Sequence, residues 1–384
     1  MKKIFCALLF FCAALASCSK SDHEDPARRT VLVYVAAAND LASYARSNLA
    51  DMEANYRNEI KDKNVNLIVY YDTGDGTPRL LRITEKGAQT VREYPETNST
   101  SSGQLSRVIA DVKTEYPAQS YGLILWSHAT GWAPQDYRLL TKSRAFSAGA
   151  AFLPPTRTFG HQYFGGSLYQ IDLADLSTAI PSGLFDFIIT DACYMGSIEV
   201  AYALRDKADY LITYPTEVIA DGMPYRQMTA DLFSTKTTEE YCQAIARKFF
   251  GYYDSQSGLY RSATVAVVKT AALPSLAAAI RPIVRDHSAA VASVLLSGIQ
   301  HYDLYSRPFM YDLDDFIRQV APAEQYATFK AALDQAVVFS AHTDYFFYLR
   351  LERCCGLSTY IPTNELSAYD TPYFATEWYK ACYL

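Results

Sequence analysis

The stretch FDFIITDACYMGSIE, residues 185–199, begins as a run of large apolar side chains and ends as an amphipathic helical pattern, with a cysteine at the corner between them. A near-continuous apolar strand that turns directly into a helix belongs to a parallel sheet covered on both faces. Side chains two apart on a strand share a face, so Asp191 and Cys193 stand side by side at the rim. A thiol at the start of a helix is favoured as thiolate by the helix dipole. An acid beside it opposes that effect, so Asp191 makes more sense facing a cationic ligand group than activating the sulfur.

Working outward, the same alternation recurs. TVLVYVAA (30–37), VNLIVYYD (65–72), YGLILWSH (121–128) and DYLITY (209–214) read as strands. Between them DLASYARSNLADMEANY, SSGQLSRVIADVKTEYP and IDLADLSTAI read as helices, the first capped near Asn39 or Asp40. RLLRIT (79–84) follows the turn TGDGTP as a hairpin arm. Beyond Tyr225 the pattern predicts helices over about 238–253 and 271–297, a strand ATVAVV between them, then helical FMYDLDDFIRQV and AEQYATFKAALDQAVVF. The expected fold is α/β with a mostly parallel central sheet, and a C-terminal mixed extension packed on it. The expected segments are 1–17 export signal, 18–29 tether, 30–232 core and 233–384 extension.

The first residues set the compartment. Met1, Lys2 and Lys3 precede an apolar run from Ile4 to Ala16, too short to span a bilayer and suited to an export signal. It ends in Leu15-Ala16-Ser17-Cys18, which resembles a bacterial lipobox, so Cys18 is expected to carry lipid and anchor the chain to the bacterial cell envelope. The polar residues that follow lack the periodicity to bury themselves. After removal of the signal and lipidation of Cys18, five thiols remain, an odd number in an oxidising compartment, so at least one stays free. A disulfide from Cys382 to Cys354 or Cys355 is left open. No spacing suits zinc, and a net charge of −6 argues against a nucleic-acid partner.

LWSHATGW places His128 at the end of another strand. Cys and His on separate strand ends are the minimum apparatus for thiol acyl transfer, in which the thiolate attacks a carbonyl and the imidazole protonates the departing amine. Their order and rough separation match the caspase pattern. The bland alternative is a small core Cys and a packed His beside Trp126 and Trp132.

Five blocks carry a resemblance: LILWSHATGW, FDFIITDACYMGSIEVAYALRDKADYLITYPTEV, DGMPY, YDLDDFI and GLSTYIP. In order and spacing they resemble the clostripain family of cysteine peptidases, from about Thr30 to the C-terminus. The resemblance implies a caspase-like α/β/α fold, His128 and Cys193 as catalytic residues, and substrates cut after Arg or Lys. It also implies that Asp191 lines the pocket for that side chain, with Asp221 as a second acid; a solvated turn residue before Gly222 is the other reading of Asp221. Self-cleavage after a basic residue between the His and the Cys is implied too, at Lys142 first or Arg144. Calcium supports some relatives, but no oxygen-rich loop here assigns it and no other cofactor is expected.

Two departures stand out. The family usually has Gly after the catalytic His, where the backbone N–H, with that of the Cys, binds the oxyanion; here it is Ala129. If the position needs positive φ, Ala costs about 1–2 kcal/mol of strain, and otherwise little changes. Met223 replaces an aromatic common in relatives. Hence two functional expectations: a lipid-anchored endopeptidase acting on peptides or proteins with exposed Arg or Lys, or a weak or inactive lipoprotein binding basic peptides in the same cleft.

Overall fold

The computed structural model describes residues 25–95, 98–133, 162–164, 167–364 and 367–384. Cys18, Lys142 and Arg144 lie outside them. Nine strands form one sheet: β1 (Arg29–Ala36), β2 (Val65–Asp72), β3 (Arg79–Thr84), β4 (Gly87–Glu93), β5 (Tyr121–Trp126), β6 (Phe185–Asp191), β7 (Ala208–Thr213), β8 (Thr264–Lys269) and β9 (Val337–His342). Their spatial order is β9-β8-β7-β6-β5-β1-β2-β3-β4. The centre, β7-β6-β5-β1-β2, is parallel, and antiparallel neighbours complete both edges. This is the caspase-like α/β architecture expected. Every residue of β1 and β2 is buried, which is why these strands read as apolar runs and not as alternation.

Helices α1 (Ala42–Glu59), α2 (Ser102–Glu115), α3 (Leu173–Ala179) and α4 (Ile198–Ala203) make the crossovers, and α5 (Thr238–Asp254) links β7 to β8. α1 and α5 are bridged by residues 225–233, while α2 packs on α3 and α3 on α4. The chain leaves β1 through α1 towards β2 and leaves β5 through α3 towards β6, in opposite directions along the sheet. The topological switch point therefore lies between the carboxyl ends of β1 and β5, where open α/β sheets bind ligands.

Three local expectations change. Helix α1 starts at Ala42 with Leu41 at its cap and no capping side chain; Asn39 Oδ1 accepts from the Leu41 N–H instead, and Asp40 points elsewhere. The long helix over 271–297 is two, α6 (Leu273–Asp286) and α7 (Ser288–Ser293), broken at His287. VVF, read as a helix end, opens β9, because β8 offers it a partner. The five cysteines described are free, with Cys193, Cys242 and Cys382 buried, so Cys382 makes no disulfide with Cys354 or Cys355.

Candidate active site

In the parallel pair β5–β6, Trp126 lies opposite Asp191. Two residues further along the chain, just past these paired strand ends, stand His128 and Cys193. The face that Trp126 presents is the one carrying α1, since Trp126 Nε1 donates to Asn48 Oδ1 of α1 at 2.8 Å. The sheet register thus sets the two residues that the sequence singled out just beyond the ends of neighbouring strands.

The cysteine sits on a tightly built corner. Cys193 is fully buried, and the Val218 N–H points at its Sγ from 3.1 Å, a donor placed to stabilise negative charge on sulfur. Tyr194 adopts φ 58°, a left-handed conformation that costs a non-glycine residue about 1–2 kcal/mol. Its N–H donates to Thr216 O at 3.0 Å and its hydroxyl to Glu217 Oε1 at 2.8 Å, so residues 216–218 hold the turn in place. Two glycines let the corner close. A Cβ on Gly196 would stand 2.4 Å from Pro215 N, and one on Gly131, at φ 64°, would stand 2.6 Å from Tyr194 O. Behind the corner, the C-terminal segment straps on: Ser358 N–H donates to Gly196 O, and Thr359 Oγ1 and Tyr360 N–H both donate to Glu199 Oε1 at 3.0 Å. Burial pushes the Glu199 carboxyl up to about 7, these two donors notwithstanding. This contact accounts for GLSTYIP standing among the blocks that carry the resemblance.

Asp191 is fully buried and accepts from the Tyr225 hydroxyl at 2.9 Å and the Met223 N–H at 3.4 Å through Oδ2. Met223 therefore serves the acid through its backbone, which any residue but proline supplies. Asp221 is exposed, in the turn closed by the Gly222 N–H on Ile219 O, and its carbonyl accepts from Asn48 Nδ2 at 3.0 Å. Its charge reaches Tyr44 and Tyr252, whose hydroxyls are pushed above their ordinary value, first by burial and then by Asp221. The two acids thus flank the same short segment from within and from outside.

His128 is 7% exposed, and its Nε2 lies 2.8 Å from Asp40 Oδ1. Asp40 stands in the turn between β1 and α1 and was missed as a functional residue because an acid two residues before a helix reads as a cap. The signal was available in hindsight only through the sheet, since β1 and β5 are paired neighbours. Ala129 lies outside the left-handed region, which among described non-glycine residues holds Tyr194 and Phe347. The strain weighed for Ala129 does not arise, and its N–H is retained. As for calcium, among the described residues no group of three or more His, Cys, Asp or Glu side chains is placed to hold a metal ion. No described helix is long and apolar enough to cross a membrane.

The sequence model of the clostripain family matches residues 33–382. The chain belongs to the clostripain family. An inactive zymogen C11 protease from Parabacteroides distasonis superposes with a TM-score of 0.78 at 33% identity, over 94% of this chain and 99% of that one. A secreted C11 cysteine protease from Bacteroides thetaiotaomicron, in complex with an irreversible peptide inhibitor, superposes with a TM-score of 0.76 at 27% identity, over 93% of this chain and 99% of that one. Clostripain of Hathewaya histolytica is 24% identical over 236 residues, 54% of this chain and 42% of that protein, so the alignment spans less than half of that curated relative. This clostripain-family chain therefore shares its overall fold with C11 cysteine proteases.

Proposed function

We propose that the chain is a cysteine endopeptidase, a hydrolase, that cuts peptide bonds after Arg or Lys. The observation that supports the reading is the β5–β6 pairing, in which His128 and Cys193 follow directly after the ends of neighbouring strands and Cys193 lies two residues from a buried carboxylate. Asp191 takes the guanidinium or ammonium of the residue before the scissile bond, in charge-assisted hydrogen bonds about twice as strong as neutral ones. Asp221 adds a second negative charge near the mouth. Cys193 Sγ attacks the carbonyl carbon, and the oxyanion settles between the N–H groups of Cys193 and Ala129. His128 gives a proton to the departing amine as the C–N bond breaks, leaving a thioester. Water that loses its proton to His128 then attacks the thioester, releasing the carboxylate and restoring the thiol. With Nε2 engaged by Asp40, proton traffic runs through Nδ1.

The same proposal includes export, for which a secreted relative is the support, and a lipid anchor on Cys18, which rests on the Leu15–Cys18 pattern alone. It includes self-cleavage after Lys142 or Arg144, which a relative solved as an inactive zymogen favours. Intact-mass measurement of active enzyme reads this directly, and active enzyme found only as uncut chain removes it. The central test is an arginyl chloromethyl ketone label with a fluorogenic arginyl peptide. Labelling of Cys193 and turnover, both lost in Cys193→Ala, are expected. Binding of arginyl peptides without label or turnover would instead establish the recognition-only lipoprotein.

A further inference from the structure

A second pocket opens beside His128, on the other face of the sheet from Asp191. Its floor is Leu125, with Tyr34 and Ala36 of β1; Leu105 of α2 and Leu173 and Leu176 of α3 roof it. Leu125 pairs with Tyr34 across β1–β5, so all three point away from the α1 face that carries Trp126. At its mouth lie Ala129, Thr130 and Gly131, the residues directly after His128, together with Ala192 and Met195, which flank Cys193 in sequence. The lining is mostly apolar, with a polar fringe of Ser127, Thr130 and Gln170, and His128 is the one titratable side chain apart from Tyr34 among the described lining residues.

Three observations say what this pocket is for. It sits at the carboxyl ends of β1 and β5, which is the topological switch point of the sheet and the expected ligand crevice of such folds. It adjoins the reaction centre, because His128 itself and Ala192, the residue before Cys193, are among its lining residues. Most tellingly, successive side chains of an extended peptide point to opposite sides. If the residue before the scissile bond drops to Asp191 on the α1 face, the residue after it is aimed at the α2 face, where this pocket lies.

We infer that the pocket receives the side chain directly after the scissile bond, and that it selects an aliphatic residue of about leucine or methionine size. The inference rests on the proposed cleavage after Arg or Lys and adds a second specificity to it: a basic residue followed by an aliphatic one. No carboxylate or fixed cation stands among the described lining residues, so a charged side chain there would lose water without a partner. Leaving-group recognition of this kind acts while His128 protonates the amine, since the residue so held carries that nitrogen. Correct seating therefore aligns the departing N–H with the imidazole, and the preference belongs in kcat/KM and not in binding alone.

The experiment uses the full chain and internally quenched peptides identical except after a single Arg, where Leu, Gly or Asp stands. The expected result is kcat/KM at least about tenfold higher for Leu than for Gly, with Asp slowest. Leu173→Trp, at a half-buried roof position, fills the pocket, and the Leu-to-Gly ratio within that variant should fall towards one. Leu173→Ala widens it, and preference should move from Leu to Phe. Ratios within one variant cancel any loss of folded protein. An arginyl chloromethyl ketone, which carries no residue after the scissile position, separates the two readings. Wild-type chain that labels and cuts all three peptides equally overturns this inference and leaves the peptidase standing. A chain that does not label overturns both.

Discussion

The two strand-end corners of the active site are built in opposite ways. At the nucleophile corner Asp191, Cys193, Tyr194 and Glu199 are all fully buried, and the backbone is locked by residues 216–218 in front and 358–360 behind. At the histidine corner the imidazole is oriented by Asp40, whose side chain is 80% exposed. The first corner stores strain at Tyr194 and unmet burial cost at Glu199, and only dense packing keeps it in place. The second is oriented by one contact to a solvent-facing carboxylate, which adds little to stability. Substitutions at the nucleophile corner should therefore cost folding and catalysis together, whereas substitutions at the histidine corner should cost catalysis alone.

The largest effect that would break this contrast concerns Asp191. Replacement by Ala strands the buried Tyr225 hydroxyl and Met223 N–H, at about 1–3 kcal/mol, and removes the proposed partner of the substrate cation. Cleavage of arginyl peptides should fall by about a hundredfold or more in kcat/KM, mostly through KM, with a lowered unfolding midpoint. An Asp191→Ala protein that melts like wild type would contradict the packed-corner account.

Glu199 sharpens it by pH. Below about pH 4.5 the carboxyl is protonated in both folded and unfolded chains; between there and about 7 the unfolded chain ionises while the folded one holds its proton. Stability should therefore fall as pH rises through that window, by about 3 kcal/mol from this group, and not rise as it does for an exposed, paired acid. Glu199→Gln keeps an oxygen for Thr359 and Tyr360. Urea titrations at pH 5 and pH 8 should differ less for the Gln variant than for wild type. Equal pH dependence in the two proteins would remove Glu199 as the source.

Asp40→Ala is the converse case. An unchanged melting temperature with kcat lowered about tenfold is expected, a fraction of the 10²–10⁴ that acid–base catalysis contributes in full. Asp40→Asn, whose carbonyl oxygen accepts the same bond from Nε2, should recover part of the loss. A purely structural Asp40 would move the melting temperature and gain nothing from Asn. Smallest of all is Ala129→Gly: with no left-handed conformation to relieve, turnover should change by less than about threefold, and a large gain would mean that the oxyanion strand is strained after all.

How much of this was legible in residues alone differs element by element. FDFIITDACYMGSIE announced its strand, turn and helix because a strand buried on both faces must be apolar throughout, and the break in that run at Asp191 and Cys193 is visible without any partner. His128 at the end of YGLILWSH was visible for the same reason. Asp40 was not, because the local pattern around it supports a cap as well as a catalytic partner; only the β1–β5 pairing brings it to Nε2. Glu199 sits in the first turn of α4, where nothing local signals burial, and its burial depends on a segment some 160 residues later folding over it.

The sequence by itself determined the class of sheet, the two strand ends where His128 and Cys193 stand and the acid near the thiol, because these follow from hydrophobic period and residue type over short spans. Only the tertiary structure decided which face each side chain serves, that Asp40 holds the histidine, that the C-terminal strap closes the nucleophile corner, and that an apolar pocket lies across the sheet from Asp191. Those facts depend on strand order and register, which bring together residues far apart in the chain at positions that no local pattern encodes.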